Sequence, residues 1–348
     1  MIAVLIAISV AFTVSVFGTP FLIRILRARK IGQQIRDDGP IAHPHERKAG
    51  TPTMGGLAII AAAFLGYLAS HIRTEAIKFA DTAIALWFLI LGLGFVGWLD
   101  DYLGVRRARN LGLRKRGKTG GILIVSAGFS LLALEFVKVS THLSFTRPLE
   151  LDLGAIGWCI WAVAVVYATS NAVNITDGGD GLVAGSAALV FAAFVVIAFT
   201  QFRHPHAYGV VAASSIDVAV VAAALMGACV GFLWWNAPPA KVFMGDTGSL
   251  ALGGAMAGMG LLTKTDLLLP IIGGLYVLET ASVIAQVISF RGFGRRILRM
   301  SPIHHHFEIL GWPESTIIVR FWILAGLMMA LGLGIFYADF IRIPGVIE

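Results

Sequence analysis

Four short stretches of the 348-residue chain hold most of its unusual polar residues. Asp100 and Asp101 sit in Gly97-Trp98-Leu99-Asp100-Asp101-Tyr102, directly after a hydrophobic run. Consecutive helical residues point about 100° apart, so one carboxylate can address a metal or phosphate while the other meets a neighbouring helix. A solvated helix end that balances the following basic run is the plainer alternative. The stretch Asn171-Ala172-Val173-Asn174-Ile175-Thr176-Asp177-Gly178-Gly179-Asp180-Gly181-Leu182 sets Asn, Asp and Gly between apolar segments, with no Lys or Arg. Glycine lets a ligand approach the main chain, and the start of the next helix offers free N–H groups and a positive dipole end to a phosphate. Carboxylates beside phosphate repel it unless a cation lies between them. Mg²⁺ meets that need, because it is usually held by one or two carboxylates plus substrate phosphates. A plain interhelical turn would use the same residue types.

Further along, Gly245-Asp246-Thr247-Gly248-Ser249 puts another carboxylate at the start of a hydrophobic segment. Taken alone, Asp246 reads first as an N-cap, worth about 1 kcal/mol. His304, His305 and His306 are consecutive and internal to the chain. Zinc sites on helices favour i, i+4 spacing, so adjacent histidines suit hydrogen bonding to phosphate better than a structural metal; a solvated loop is the remaining reading. Glu279 falls inside a hydrophobic segment, where a carboxylate is expensive and is a functional candidate by default, against the plainer reading of a neutral or paired side chain.

The elements that must position these groups are membrane helices. The chain is 57% hydrophobic and 14% charged, with mean hydropathy +0.82, whereas soluble domains average about 45–50% apolar and about 25% charged. These figures exclude a soluble globule, a disordered chain and a disulfide scaffold. Ten hydrophobic segments lie at about Ile2–Ile23, Met54–Ser70, Ala83–Leu99, Gly121–Val137, Gly154–Ser170, Leu182–Thr200, Val218–Trp235, Ser249–Thr263, Leu267–Phe290 and Phe321–Phe340. Most approach the roughly 20 residues that cross a bilayer. The expectation is an all-α polytopic membrane protein of about ten transmembrane helices, with residues 1–348 forming one integral membrane domain. Of the 27 Lys and Arg residues, 20 fall in the odd-numbered loops or at their edges. The positive-inside rule therefore puts those loops in the cytoplasm and both termini outside. Since the polar stretches lie in the odd loops, the active site is expected on the cytoplasmic face. The charge of +7 thus needs no nucleic acid. Cys159 and Cys229 fall within spans and say nothing about redox compartment.

Lys48-x-Gly-Thr-Pro-Thr-Met-Gly-Gly56, Asp100-Asp101-Tyr102, Asn171-Ala-Val-Asn-Ile-Thr-Asp177, Phe243-Met-Gly-Asp246-x-Gly-Ser and Pro302-Ile-His-His-His-Phe-Glu308 resemble, in order, the signature blocks of the bacterial phospho-N-acetylmuramoyl-pentapeptide transferases. That family is a branch of the polyprenyl-phosphate N-acetylhexosamine-1-phosphate transferases. The resemblance implies transfer of phospho-N-acetylmuramoyl-pentapeptide from its UDP carrier to undecaprenyl phosphate, giving lipid I and UMP in peptidoglycan synthesis. It implies a multi-pass protein of the bacterial inner (plasma) membrane, with Mg²⁺ as cofactor, and leaves a homodimer open. It assigns metal binding to Asp246 and catalytic roles to Asp100, Asp101, Asp246, His304, His305 and His306. Substrate contacts are implied for Lys48, Thr53, Asn171, Asn174, Asp177, Asp180, Asn236, Phe243 and Gln286, with Phe243 stacking on uracil. Gly104, Leu111 and Gly179 depart from the family pattern, which bears on local contacts rather than on the reaction.

Two other functions compete. A relative in the same superfamily would transfer GlcNAc-1-phosphate to the polyprenyl carrier for another surface polymer, which the complete Pro-Thr-Met-Gly-Gly and Pro-Ile-His-His-His-Phe-Glu blocks disfavour. A ten-span transporter would bury its polar residues at the bilayer midplane rather than mass them on one face. The charge asymmetry yields a direct test of topology. Reporters fused at Arg36, Arg116, Lys241 and Arg299 are expected in the cytoplasm, and those at Arg147 and Arg203 outside; an external signal from any of the first four breaks the shared-face argument.

Overall fold

The computed structural model describes residues 1–29, 31–32, 50–72, 79–106 and 112–343. Lys48, Arg36 and Leu111 lie outside the described residues. The chain folds as α1 (Ile2–Ala28), α2 (Gly56–Ser70), α3 (Asp81–Arg106) and α4 (Lys115–Leu132), the last continued by a π-helical turn over Ala133–Val137. A hairpin of β1 (His142–Ser144) and β2 (Pro148–Asp152) leads into α5 (Gly154–Thr176) and α6 (Leu182–Arg203). There follow α7 (Pro205–Tyr208), α8 (Ala212–Asn236), α9 (Gly245–Leu262), α10 (Leu269–Ile272), α11 (Gly274–Phe293), α12 (Ile303–Ile309) and α13 (Glu314–Phe340).

Each of the ten hydrophobic segments is helical. Among the described residues, α1, α3, α4 with its π turn, α5, α6, α8 and α13 are the seven long and apolar enough to cross a membrane. The protein is a multi-pass membrane protein. The other three segments differ for separate reasons. The α2 helix has only 15 residues. The expected span over Leu267–Phe290 is broken: Pro270 is the second residue of the short α10, and a new helix starts after Gly273. The third, α9, opens on Gly-Asp-Thr-Gly-Ser and is rich in glycine, yet every residue from Thr247 to Leu262 is buried. It is the central helix, packed by α3, α5 and α2. Small side chains lower its hydropathy and also let its neighbours approach closely, the usual device where lipid supplies no hydrophobic drive to helix association.

One of the closest of these approaches carries the site. A Cβ placed on Gly97 of α3 would lie 2.1 Å from the carbonyl oxygen of Asp246 and 2.6 Å from the nitrogen of Thr247. Only hydrogen at that position lets α3 lie against the start of α9.

The two ends of the bundle differ in character. At one end Arg147 of the hairpin turn pairs with Asp339 at 2.7 Å, and His204 packs on Phe340. At the same end the fully buried Asp217 of α8 accepts the Tyr67 hydroxyl at 3.1 Å and the Ala80 N–H at 2.8 Å, with His71 Nε2 at 3.1 Å. The motif residues gather at the opposite end.

Replacing Gly97 by Val is expected to push α3 off α9, since inserting methyl groups into a packed interface costs about 1–3 kcal/mol and more where backbone is the obstacle. The detergent-solubilised variant should unfold at lower temperature and lose turnover. Gly334, where an added Cβ meets nothing within 4 Å, is the control; its Ala variant should match the parent in both measurements.

Candidate active site

Asp100 and Asp101 occupy the last turns of α3 rather than the loop beyond it, and they diverge as helical neighbours must. Asp101 turns to α9. One of its oxygens accepts the Asp246 N–H at 3.1 Å; the other accepts the Thr247 N–H at 3.0 Å and the Thr247 hydroxyl at 2.6 Å. It therefore caps, from another helix, the orphan donors at the start of α9. This overturns the N-cap reading of Asp246, whose side chain is free for other work. Asp100 accepts the Leu113 N–H at 2.9 Å and lies near the Asp246 carboxylate.

Asp246 is the hub. Its Oδ1 accepts from Asn174 Nδ2 at 2.6 Å, and its Oδ2 is paired with the Lys118 ammonium. Lys118 also donates to Asn174 Oδ1 at 3.1 Å, and Asn174 Nδ2 reaches Ser249 Oγ at 2.9 Å. Four helices, α3, α4, α5 and α9, thus each contribute a side chain to one polar cluster at the mouth of the bundle. The residues Asn171–Thr176 are the last turns of α5, not a loop as the sequence suggested. Being helical, the two asparagines have different fates: Asn171 donates to Tyr167 O of its own helix at 2.7 Å, while Asn174 enters the cluster.

Asp177 ends α5. Burial, reinforced by the nearby carboxylates of Asp246, Asp101 and Asp180, pushes its carboxyl well above the usual carboxylate range. Asp180 is buried and accepts the Ala240 N–H at 2.9 Å, while its own N–H donates to Glu314 at 3.0 Å. Asn236 braces two loops, accepting from Gly181 N at 3.1 Å and donating to Val242 O at 2.8 Å. Phe243 is half-buried on a segment whose main chain pairs with the Pro52–Gly56 stretch. Thr53 lies beside Gly245 and Asp101 in the same place: both crowd a Cβ built on Gly245.

The three histidines lie on α12 and point in different directions. His304 is buried and meets Glu279 through Nδ1 at 3.0 Å. His305 meets Glu308 at 2.8 Å, and His306 Nδ1 accepts the Arg299 N–H at 3.0 Å. Only His304 and His305 are directed at the Asp177 loop. A Cβ on Gly178 would lie 2.4 Å from His304 Nε2 and 3.2 Å from His305 Nε2. The Gln286 amide is engaged by the main chain of Ile297 and Leu298 at 2.9–3.0 Å.

Sequence reasoning missed Lys118, Thr247 and Ser249. Lys118 was counted only as one charge of a basic loop; the available signal was that it falls at the mouth of a hydrophobic segment, where a cation must find a partner. Among the described residues no group of three or more His, Cys, Asp or Glu is poised to hold a metal ion. The hard-oxygen set of Asp246 and Asp100 nonetheless suits Mg²⁺, which takes few protein carboxylates and fills its shell with water and substrate oxygens.

Residues 83–264 match the family described as glycosyl transferase family 4, a span that includes Asp100, Lys118, Asn174 and Asp246. Residues 48–60 match the phospho-N-acetylmuramoyl-pentapeptide-transferase signature 1. The chain is 50% identical to the phospho-N-acetylmuramoyl-pentapeptide-transferase of Frankia casuarinae, over 99% of this chain and 100% of that one. It is 46% identical to the enzyme of the same name from Streptomyces griseus, over 96% and 98% of the two chains. Likeness of this extent, together with matches that fall on the clustered residues, shows that the chain belongs to the phospho-N-acetylmuramoyl-pentapeptide-transferase family.

Proposed function

We propose that the protein moves phospho-N-acetylmuramoyl-pentapeptide from its UDP carrier to undecaprenyl phosphate, forming lipid I and UMP at the cytoplasmic face of the bacterial plasma membrane. The observation that carries this reading is the Asp246 hub with Asp100, Asn174 and Lys118, gathered at the end of the bundle that bears the basic loops. A water-soluble nucleotide sugar and a lipid phosphate can meet only at such a membrane-level site. Ten spans with both termini outside accord with the charge distribution and with the ten helical segments.

Mg²⁺, held by Asp246, would neutralise the diphosphate and favour its cleavage. The chain's own residues do the rest. Asn174 and Lys118 hold Asp246 in place, and the ammonium offsets charge in a pocket otherwise dominated by carboxylates. Asp101 fixes the α3–α9 junction and leaves Asp100 to orient the lipid phosphate. An oxygen of that phosphate attacks the sugar-side phosphorus, and the diphosphate bridge breaks with UMP leaving. The second pKa of a phosphomonoester is about 6, so the attacking phosphate is already largely a dianion near neutrality and needs little help from a base. His304 and His305 face the phosphate side, and Phe243 offers a ring to the uracil.

Asp246→Asn is expected to lower turnover by at least about a hundredfold, the scale seen when one preorganised electrostatic partner is removed. The variant should still be extracted as a folded protein. Full activity of the parent protein in excess chelator would remove Mg²⁺ from the mechanism.

Direct attack predicts that enzyme and UDP-sugar alone release no UMP, and that release begins when undecaprenyl phosphate is added. A burst of UMP equal to the enzyme concentration, with phospho-sugar left on an aspartate, would establish a covalent intermediate instead.

A further inference from the structure

One face of α11 is built to hold the segment that follows it. Glu279, Ser282, Gln286 and Ser289 recur at i, i+3, i+7 and i+10, so they form a stripe along one side of the helix. Ser289 Oγ donates to Arg295 O at 2.7 Å, and Gln286 binds the main chain of Ile297 and Leu298. Ser282 Oγ accepts the Ile303 N–H at 3.0 Å at the start of α12. The upper three members thus dock backbone with neutral side chains. Glu279 differs on both counts: it is a carboxylate, fully buried, and its partner is a side chain, His304 Nδ1 at 3.0 Å.

A buried carboxylate costs far more than the neutral group that would suffice for docking. The difference lies in what it does to the imidazole. A carboxylate on Nδ1 fixes the ring plane and keeps a proton on that nitrogen, so Nε2 carries a hydrogen of its own only on the imidazolium. Nε2 is then the ring atom left for the site. It is buried and makes no hydrogen bond, and it is directed at Gly178, beside Asp177. A buried, oriented polar atom without a partner beside the Asp177 loop calls for an explanation, and a ligand held at that loop supplies one.

We propose that Glu279 is a positioning residue for the transfer reaction: it holds His304 by Nδ1 so that Nε2 of the imidazolium donates to a phosphoryl oxygen of the nucleotide-sugar diphosphate bound at the Asp177–Gly179 loop. The proposal rests on the reading of the histidine face as the phosphate side of the site.

A double-mutant cycle tests both. With UDP-N-acetylmuramoyl-pentapeptide and undecaprenyl phosphate as substrates, Glu279→Gln should lower kcat about 10–100-fold, the range for loss of a partner that orients a reactive group, with KM for the nucleotide sugar changed less than threefold. The substitution is nearly isosteric, and Glu279→Asp should recover part of the rate. His304→Gln should lower kcat at least as much, and adding Glu279→Gln to it should cost nothing further. Independent, multiplicative losses in the double variant would overturn the positioning role, because a carboxylate that merely braces the fold acts whether or not the imidazole is present. Full activity of His304→Gln would overturn the reading of the histidine face itself, and the proposal with it. Thermal unfolding of each variant separates a loss of folding from a loss of rate, and the cycle stays informative if Glu279→Gln lowers stability, since the same penalty then appears in both backgrounds.

Discussion

The site depends on a carboxylate from one helix closing the open end of another. The first turn of α9 has N–H groups with no partner inside the helix, and at the edge of a membrane such donors are costly to leave unpaired. Asp101 satisfies two of them and the Thr247 hydroxyl as well. Gly97, one turn earlier on α3, makes the approach close enough. Because the cap comes from outside, the acid that α9 itself carries in its first turn is released from capping. Asp246 turns instead to Asn174 and Lys118, and Asp100 is brought against it from the same helix that supplies the cap.

Charge then sets the chemistry. Asp100, Asp101, Asp177, Asp180 and Asp246 converge, and Lys118 answers Asp246 directly. The excess of negative charge raises the proton affinity of Asp177 once burial has removed solvent. A pocket of this kind is hostile to a diphosphate by itself and receptive to one that brings a divalent cation. Side chains this interlocked do not fit the plainer alternative of solvated helix ends.

Much of this was legible in the residues, and the parts that were not share a cause. Hydrophobic length sufficed for the seven long helices but not for the break at Gly273, and the spacing of the segments put the polar stretches at one end of the bundle. The Asp100–Asp101 pair was read correctly as diverging, because helical geometry alone requires it. Asn171 and Asn174 looked like loop residues since Asn and Gly usually mark turns; the helix runs on to Thr176, and only Asn174 reaches the cluster. Lys118 was lost among its basic neighbours. Gln286 and Glu279 belong to a stripe whose meaning appears only when the partner segment is seen folded back along it. Pairing between elements distant in the chain decides these roles, and local pattern carries no record of it. The family resemblance narrowed the site but could not say which matched residues touch ligand and which hold loops.

The buried α9 also bears on how the protein is made. A segment that begins Gly-Asp-Thr-Gly-Ser and continues through repeated glycines partitions weakly into lipid when left to itself. It needs a proteinaceous cleft to receive it, and the helices that line that cleft, α2, α3 and α5, are all synthesised before it. Insertion of α9 is thus an act of assembly more than of partitioning, and it comes after most of the bundle is in place. Until then Asp101 has nothing to cap and Asp246 is not yet between its partners. A nascent chain halted before α9 would be a membrane protein with most of its spans and no catalytic centre.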